Sequence, residues 1–387
     1  MRSFRIGSVF GIPIKLDLTF LLVLPLFAYL IGNRVEAIAD LMNATLGADL
    51  AIGPLTTGAT PWVVGTAAAV GLFVGVVLHE LGHSVVAMRY GYPIDSITLW
   101  IFGGIAALSE MPEDWKQELQ IAIAGPVVSV LVGIGSAIGF LLFPSGYAAP
   151  RFVLGYLALM NVSLAAFNLL PGFPMDGGRV LRALLARKRP YARATQIAAE
   201  VGKAFALLLG LFGLFTFQLL LIGIAFFIYI GASSEAQQVV MKATFQNVTV
   251  RDIMTPWDSL RTIEAGDSVA TLIQRMFEER HTGYPVLEDG TLVGLVTLED
   301  AREVAAVERD AYRVEEIMTR ELVTISPEAD AMEALQTMQE TGVGRLLVTD
   351  YHDDLVGLIT RTDLMTAFDI IQKSGSSSPT RRPGTAD

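Results

Sequence analysis

One apolar stretch of the chain contains His79-Glu80-Leu81-Gly82-His83. Helical positions four apart share a face, so both imidazoles can bind one metal ion. Glu80 stands beside them, where a carboxylate can serve as general base toward a metal-activated water. Catalytic zinc keeps three protein ligands and one open position. The chain has 4 histidines and no cysteine, and the other two histidines, His281 and His352, lie in the last third. The third ligand is therefore expected to be a carboxylate. Asp176 stands out, within Asn168-Leu169-Leu170-Pro171-Gly172-Phe173-Pro174-Met175-Asp176-Gly177-Gly178. Prolines and glycines break a helix here. At membrane depth, irregular backbone is tolerated only beside a cavity or inside protein. Such a break can turn a carboxylate toward the histidine pair.

The elements that must position these groups are membrane helices. Of 387 residues, 52 % are apolar and 17 % charged, against about 25 % charged in soluble domains. The net charge of −11 excludes a general nucleic-acid binder, which needs a basic footprint. Residues 1–245 hold 15 basic and 13 acidic residues, whereas 246–387 hold 13 and 26. An apolar, nearly neutral part is thus joined to an acidic, soluble-looking one. Runs of about 17–25 apolar residues mark spans, here near 16–33, 62–88, 121–143, 152–170, 191–213 and 216–237. The last two come from one long apolar region, divided near Gly213, Thr216 and Gln218. The loop from Gly177 to Thr195 is rich in arginine, Arg182 among them, and has no acidic residue. The positive-inside rule sets it in the cytoplasm. With six spans, the N-terminus and the acidic third are then cytoplasmic as well. Counted from Arg89, His83 and His79 lie roughly 9 and 15 Å inside the membrane at about 1.5 Å per residue, so water must reach them from the cytoplasmic side.

HExxH in one span followed by N-x-x-P-x-x-x-x-D-G in a later one resembles the site-2 protease family of intramembrane zinc metalloproteases. Asn168, Pro171, Asp176 and Gly177 match the second pattern. The resemblance covers about residues 1–240. It implies one Zn²⁺ per chain held by His79, His83 and Asp176, with Glu80 as catalytic base. It also implies peptide-bond cleavage within or near the transmembrane segment of a single-span protein. Gly125-Pro126-Val127-Val128-Ser129 is similar to a family G-P-x-x-S/N stretch. By that resemblance Asn168 and Ser129 can hydrogen-bond substrate backbone or a developing oxyanion. Asp17 occupies a position where the family often has histidine. The stretch Ile94–Leu108, centred on Gly103-Gly104, is rich in β-formers. The family places a small sheet there, whose free edge can hold extended substrate by strand addition.

The acidic third contains a repeat. Asp252-Ile253-Met254-Thr255 recurs as Glu316-Ile317-Met318-Thr319, and Gly294–Asp300 recurs as Gly357–Asp363. This resembles a tandem pair of CBS domains, here 246–307 and 308–371. Such pairs commonly bind adenine nucleotides (ATP, ADP or AMP). By resemblance Thr297, Asp300, Thr360 and Asp363 are the ribose and phosphate candidates, and a homodimer through the pair is implied. Following the last span directly, the pair is placed to bias access to the site. The Ser/Pro-rich tail, 372–387, reads as disordered.

The expected fold is an α-helical polytopic membrane protein of six transmembrane helices. It carries a small membrane-associated β element and a C-terminal α+β CBS pair. The expected function is that of a zinc endopeptidase in contact with membrane lipid. The alternative is a CBS-gated ion channel or transporter. Transporters usually show repeated membrane halves, and neither chemical motif has a second copy.

Overall fold

The computed structural model describes residues 3–100, 103–108, 112, 114–352 and 354–374. The tail expected to be disordered lies, from residue 375 onward, outside the described residues. The chain forms two units, Met1–Val239 and Val240–Asp387.

The first unit opens with strands β1 (Ser3–Val9) and β2 (Ile12–Asp17), joined by a two-residue turn at Phe10-Gly11. Both turn residues have positive φ, 52° and 83°, as tight hairpins of right-handed twist require. Helices α1 (Phe20–Asn33), α2 (Val35–Leu46), α3 (Ile52–Thr56) and α4 (Thr60–Arg89) follow, then strands β3 (Ile94–Trp100) and β4 (Gly103–Leu108). Helices α5 (Trp115–Leu142), α6 (Ala148–Asn168), α7 (Asp176–Ala186), α8 (Tyr191–Phe215) and α9 (Leu219–Thr244) complete the unit and run into the next. The four strands form one sheet in the order β1-β2-β3-β4. Its central pair is parallel, with Ile14 opposite Ile97.

Among the described residues, α4, α5, α6, α8 and α9 are each long and apolar enough to cross a membrane. The pair α1 and α2 qualifies only together, bent by 67° at Asn33–Val35. The first span thus differs from its sequence-based outline. Leu16 and Asp17 are strand, and helix begins at Phe20. The cause is the alternation Ile12, Ile14, Leu16, which suits one face of a sheet. Asp17 Oδ1 then accepts from the Thr19 amide (3.0 Å) and hydroxyl (2.7 Å) and turns the chain into α1. At 14 residues, α1 is only about 21 Å long, short of a core of about 30 Å. The long apolar region divides at 216–218, as its Thr and Gln suggest, but α9 runs on to Thr244.

Helix α5 packs against α4, α6 and α7. Asp114 caps it, accepting from the amides of Lys116 and Gln117, so the helix starts ahead of its apolar stretch.

The second unit contains helix α10 (Val250–Ile253), strands β5 (Thr255–Pro256) and β6 (Ile263–Glu264), and helix α11 (Val269–Glu279). Strands β7 (Gly283–Glu288) and β8 (Thr291–Thr297) and helices α12 (Leu298–Glu303) and α13 (Val314–Ile317) follow. Last come β9 (Thr324–Ile325), α14 (Ala331–Thr341), β10 (Arg345–Thr349), β11 (Leu355–Thr360) and α15 (Arg361–Ser374). The repeats exchange their opening segments. From the first repeat, β5 pairs with β11 of the second, and Phe245, Val248 and Val250 fill the second core. From the second, Val314 and Met318 fill the first core, and Thr319 bridges to Leu295. The side chains of Met254 and Met318 lie where Cβ atoms on Gly357 and Gly294 would stand. The repeated Ile-Met-Thr signature therefore marks the exchanged segment.

Candidate metal centre

His79 and His83 lie one turn apart on α4 and are 3 % and 4 % exposed. Asp176 opens α7, which the broken segment 169–175 brings across to them. Asp176 Oδ2 lies 3.1 Å from His79 Nε2 and 3.2 Å from His83 Nε2, and the two nitrogens are 3.2 Å apart. These are the three residues among those described that could hold a metal ion together.

The other ring nitrogens are already engaged. His83 Nδ1 lies 2.7 Å from the Ile121 carbonyl, so it must carry the proton it donates. His79 Nδ1 lies 2.9 Å from Ser129 Oγ. With Nδ1 donating to Ile121, the neutral His83 ring turns an Nε2 lone pair toward Asp176 Oδ2 and His79 Nε2. Ligand atoms of tetrahedral zinc, with bonds near 2.0–2.1 Å, stand about 3.3 Å apart. The donor set and its spacing fit zinc.

Helix α5 supplies the groups that orient both rings: Ile121, Gly125 and Ser129 form one stripe at helical spacing. Gly125 is required by close approach. A Cβ there would overlap His83 Nε2. Ser129 is fully buried and its hydroxyl is taken by His79. That position is behind the ring, at the remove from solvent expected of a ring-orienting group rather than of a substrate contact. Asn168, at the end of α6, places Nδ2 3.4 Å from His79 Nε2. Glu80 is partly buried, and β4 lies against it: a Cβ on Gly104 would stand 2.7 Å from Glu80 Cγ. Gly103 opens β4 with φ of 129° and nothing within 4 Å of its Cβ position. Asp17 is engaged with Thr19.

Sequence reading missed part of this site. The Ile121 carbonyl has no side-chain signal. Arg182, read as a loop cation, is 1 % exposed and bonds Glu118 and Glu235. The one hint was Glu118, an acid near the head of an apolar helix.

In the second unit, Asp300 Oδ2 accepts from the Thr297 amide (2.7 Å) and hydroxyl (2.8 Å). Asp363 Oδ2 does the same with Thr360, at 2.9 and 2.7 Å. Each threonine precedes a helix, α12 or α15, and the aspartate in that helix's first turn completes the cap. Arg345 reaches across the repeats to Thr282, with Nη2 3.2 Å from Oγ1.

The model of peptidase family M50 matches residues 67–151 and 147–209, and the CBS domain model matches 250–306 and 314–370. A zinc metalloprotease of Methanocaldococcus jannaschii is 36 % identical over 373 residues, covering 96 % of this chain and 97 % of the relative. Among solved structures, the site-2 protease of the same organism is 38 % identical over 61 % of this chain and 95 % of that one, with a TM-score of 0.42. CBSX2, solved in complex with AMP, is 30 % identical over 32 % of this chain and 98 % of that one, at a TM-score of 0.29. The chain belongs to peptidase family M50, the site-2 proteases, and carries a C-terminal CBS pair. It is a membrane zinc metalloprotease.

Proposed function

We propose that the chain hydrolyses a peptide bond within or near the transmembrane segment of a single-span protein, at one zinc per chain. His79, His83 and Asp176 would hold the ion. The convergence of their three acceptor atoms beside Glu80 carries this reading. When bound, zinc lowers the pKa of a water and polarises the scissile carbonyl. Glu80 removes the proton from the attacking water and returns it to the leaving amine. Asn168 Nδ2, 3.4 Å from His79 Nε2, would donate to the oxygen that gains charge. The Ile121 carbonyl keeps His83 in the tautomer that turns Nε2 inward, and Ser129 Oγ holds the orientation of the His79 ring.

Substrate must be unwound, because helical hydrogen bonds screen its carbonyls. Strand β4 is an edge of its sheet and borders Glu80 through Gly104. An extended substrate added to that edge would run beside the catalytic group, and helix-weak sequences would be favoured. The arginine-rich segment between α7 and α8 supports a cytoplasmic N-terminus and CBS pair. Adenine nucleotide binding to that pair would regulate cleavage, and the pair offers a route to a homodimer.

The test pairs zinc content with cleavage. Wild type and Glu80→Gln are purified in detergent and offered a panel of single-span substrates. We expect about one zinc per chain in both and cleavage by the wild type alone. Absence of zinc from both would overturn the site.

A further inference from the structure

We infer that Arg182 is a positioning residue, which locks the helix bearing Asp176 to the helix that orients both histidines. The inference rests on the metalloprotease reading above. Three observations meet at this side chain.

First, Arg182 is 1 % exposed and lies between two aromatic rings. Its guanidinium carbon is 4.8 Å from the ring centroids of both Phe173 and Tyr191. Phe173 belongs to the broken segment immediately before Asp176. The segment is thus gripped from both sides of the ligand, at Phe173 before it and at Arg182 after it.

Second, the guanidinium bridges two carboxylates on different helices. Nε donates to Glu118 Oε1 at 2.6 Å, and Nη1 donates to Glu235 Oε1 at 2.8 Å. The planar fork of arginine suits this double engagement, whereas lysine offers a point charge.

Third, Glu118 stands on the α5 stripe that continues through Ile121, Gly125 and Ser129. The same rigid face that fixes His83 and His79 therefore fixes α7 through Arg182. A single helix sets the position of all three acceptors. Slippage of α7 by a fraction of an ångström would open the 3.1–3.2 Å separations, and buried ligand geometry is sensitive to such supports. Arg182 acts through Asp176 and the loop. Its hydrogen bonds and ring contacts go to Glu118, Glu235, Phe173 and Tyr191.

The test uses the full chain in detergent and reads zinc affinity by chelator competition. It also reads the visible spectrum of the Co²⁺-loaded protein, and kcat and KM on a cleaved substrate. Arg182→Met alone strands the buried Glu118 carboxylate and the half-buried Glu235 carboxylate, and is expected to misfold. The triple variant Arg182→Met, Glu118→Gln, Glu235→Gln removes those charges together. Glu118→Gln, nearly isosteric, breaks the ion pair while keeping the packing. We expect both to retain a cooperative unfolding transition, to bind zinc roughly ten- to a hundredfold more weakly, and to lose kcat with KM unchanged. The Co²⁺ spectrum should shift, reporting altered ligand geometry. Arg182→Lys should recover part of the affinity.

A folded triple variant with wild-type zinc affinity and Co²⁺ spectrum would overturn the inference. If that variant does not fold, wild-type values in Glu118→Gln would overturn it equally. Failure of the wild type to bind zinc would instead overturn the metalloprotease reading, and this inference with it.

Discussion

At Gly125 an alanine methyl would overlap His83 Nε2, and retreat of the ring would break its Nδ1 hydrogen bond to the Ile121 carbonyl. Gly125→Ala is therefore expected to abolish stoichiometric zinc binding, measured as metal content after gel filtration. Ser129→Ala should be milder. It removes one hydrogen bond behind His79, a loss worth roughly ten- to a hundredfold in metal affinity or activity. At this scale the sequence was most readable in His79, Glu80 and His83, because their spacing is fixed by the helix alone. Asp176 was readable from the absence of further histidines in the apolar part and from the chain break beside it. The orienting groups were not readable. One is a backbone carbonyl, and Arg182 meets partners on α5 and α9, far away along the chain.

Among the elements, the four-stranded sheet has the most direct bearing on function. Ile97 is fully buried in β3 and pairs with Ile14 of β2 on one side and Ala106 of β4 on the other. Ile97→Ala should destabilise this sheet by about 2–4 kcal/mol. Ile97 also packs with Leu81, which lies between the two histidines on α4, so cleavage should fall and zinc binding should weaken less than cleavage does. Loss of both together would show that the sheet supports the metal centre itself. The apolar spans were legible because their length is set by the bilayer. The β1–β2 hairpin was not, since its sheet partner β3 lies beyond four intervening helices and Leu16 reads equally well as the start of a span. Helix α15 illustrates a different ambiguity. The Thr360-x-x-Asp363 pattern suits a nucleotide contact, and the same two residues form a cap. Asp363→Ala should cost about 1 kcal/mol of stability through lost capping, seen in chemical unfolding without any nucleotide present. Nucleotide binding by this variant must be measured where it remains folded.

For the whole molecule, metal removal is the simplest check. Dialysis against a chelator should abolish cleavage, and added zinc should restore it, while the apolar spans keep their far-ultraviolet helical signal. The division into an apolar and an acidic part was visible in charge alone, and the repeat in the acidic part was visible in its recurring motifs. The exchange between repeats was not visible, because a repeated motif gives no sign of which core it enters. Repeat boundaries drawn along the sequence therefore cut across both cores.

That exchange constrains the order in which the protein is made. Phe245, Val248 and Val250 leave the ribosome while Leu346, Ile359 and Leu364, their partners in one core, are still untranslated. Domains generally fold as units as they emerge, but this core cannot close until synthesis is almost complete. Its earliest residues wait, uncovered, at the end of the last membrane helix. A premature stop between the repeats would leave them without a partner and would also strip Val314 and Met318 from the other core. Nascent chains of this protein should thus depend on chaperone cover late in translation, and truncations that spare the whole protease part should still yield an aggregation-prone product.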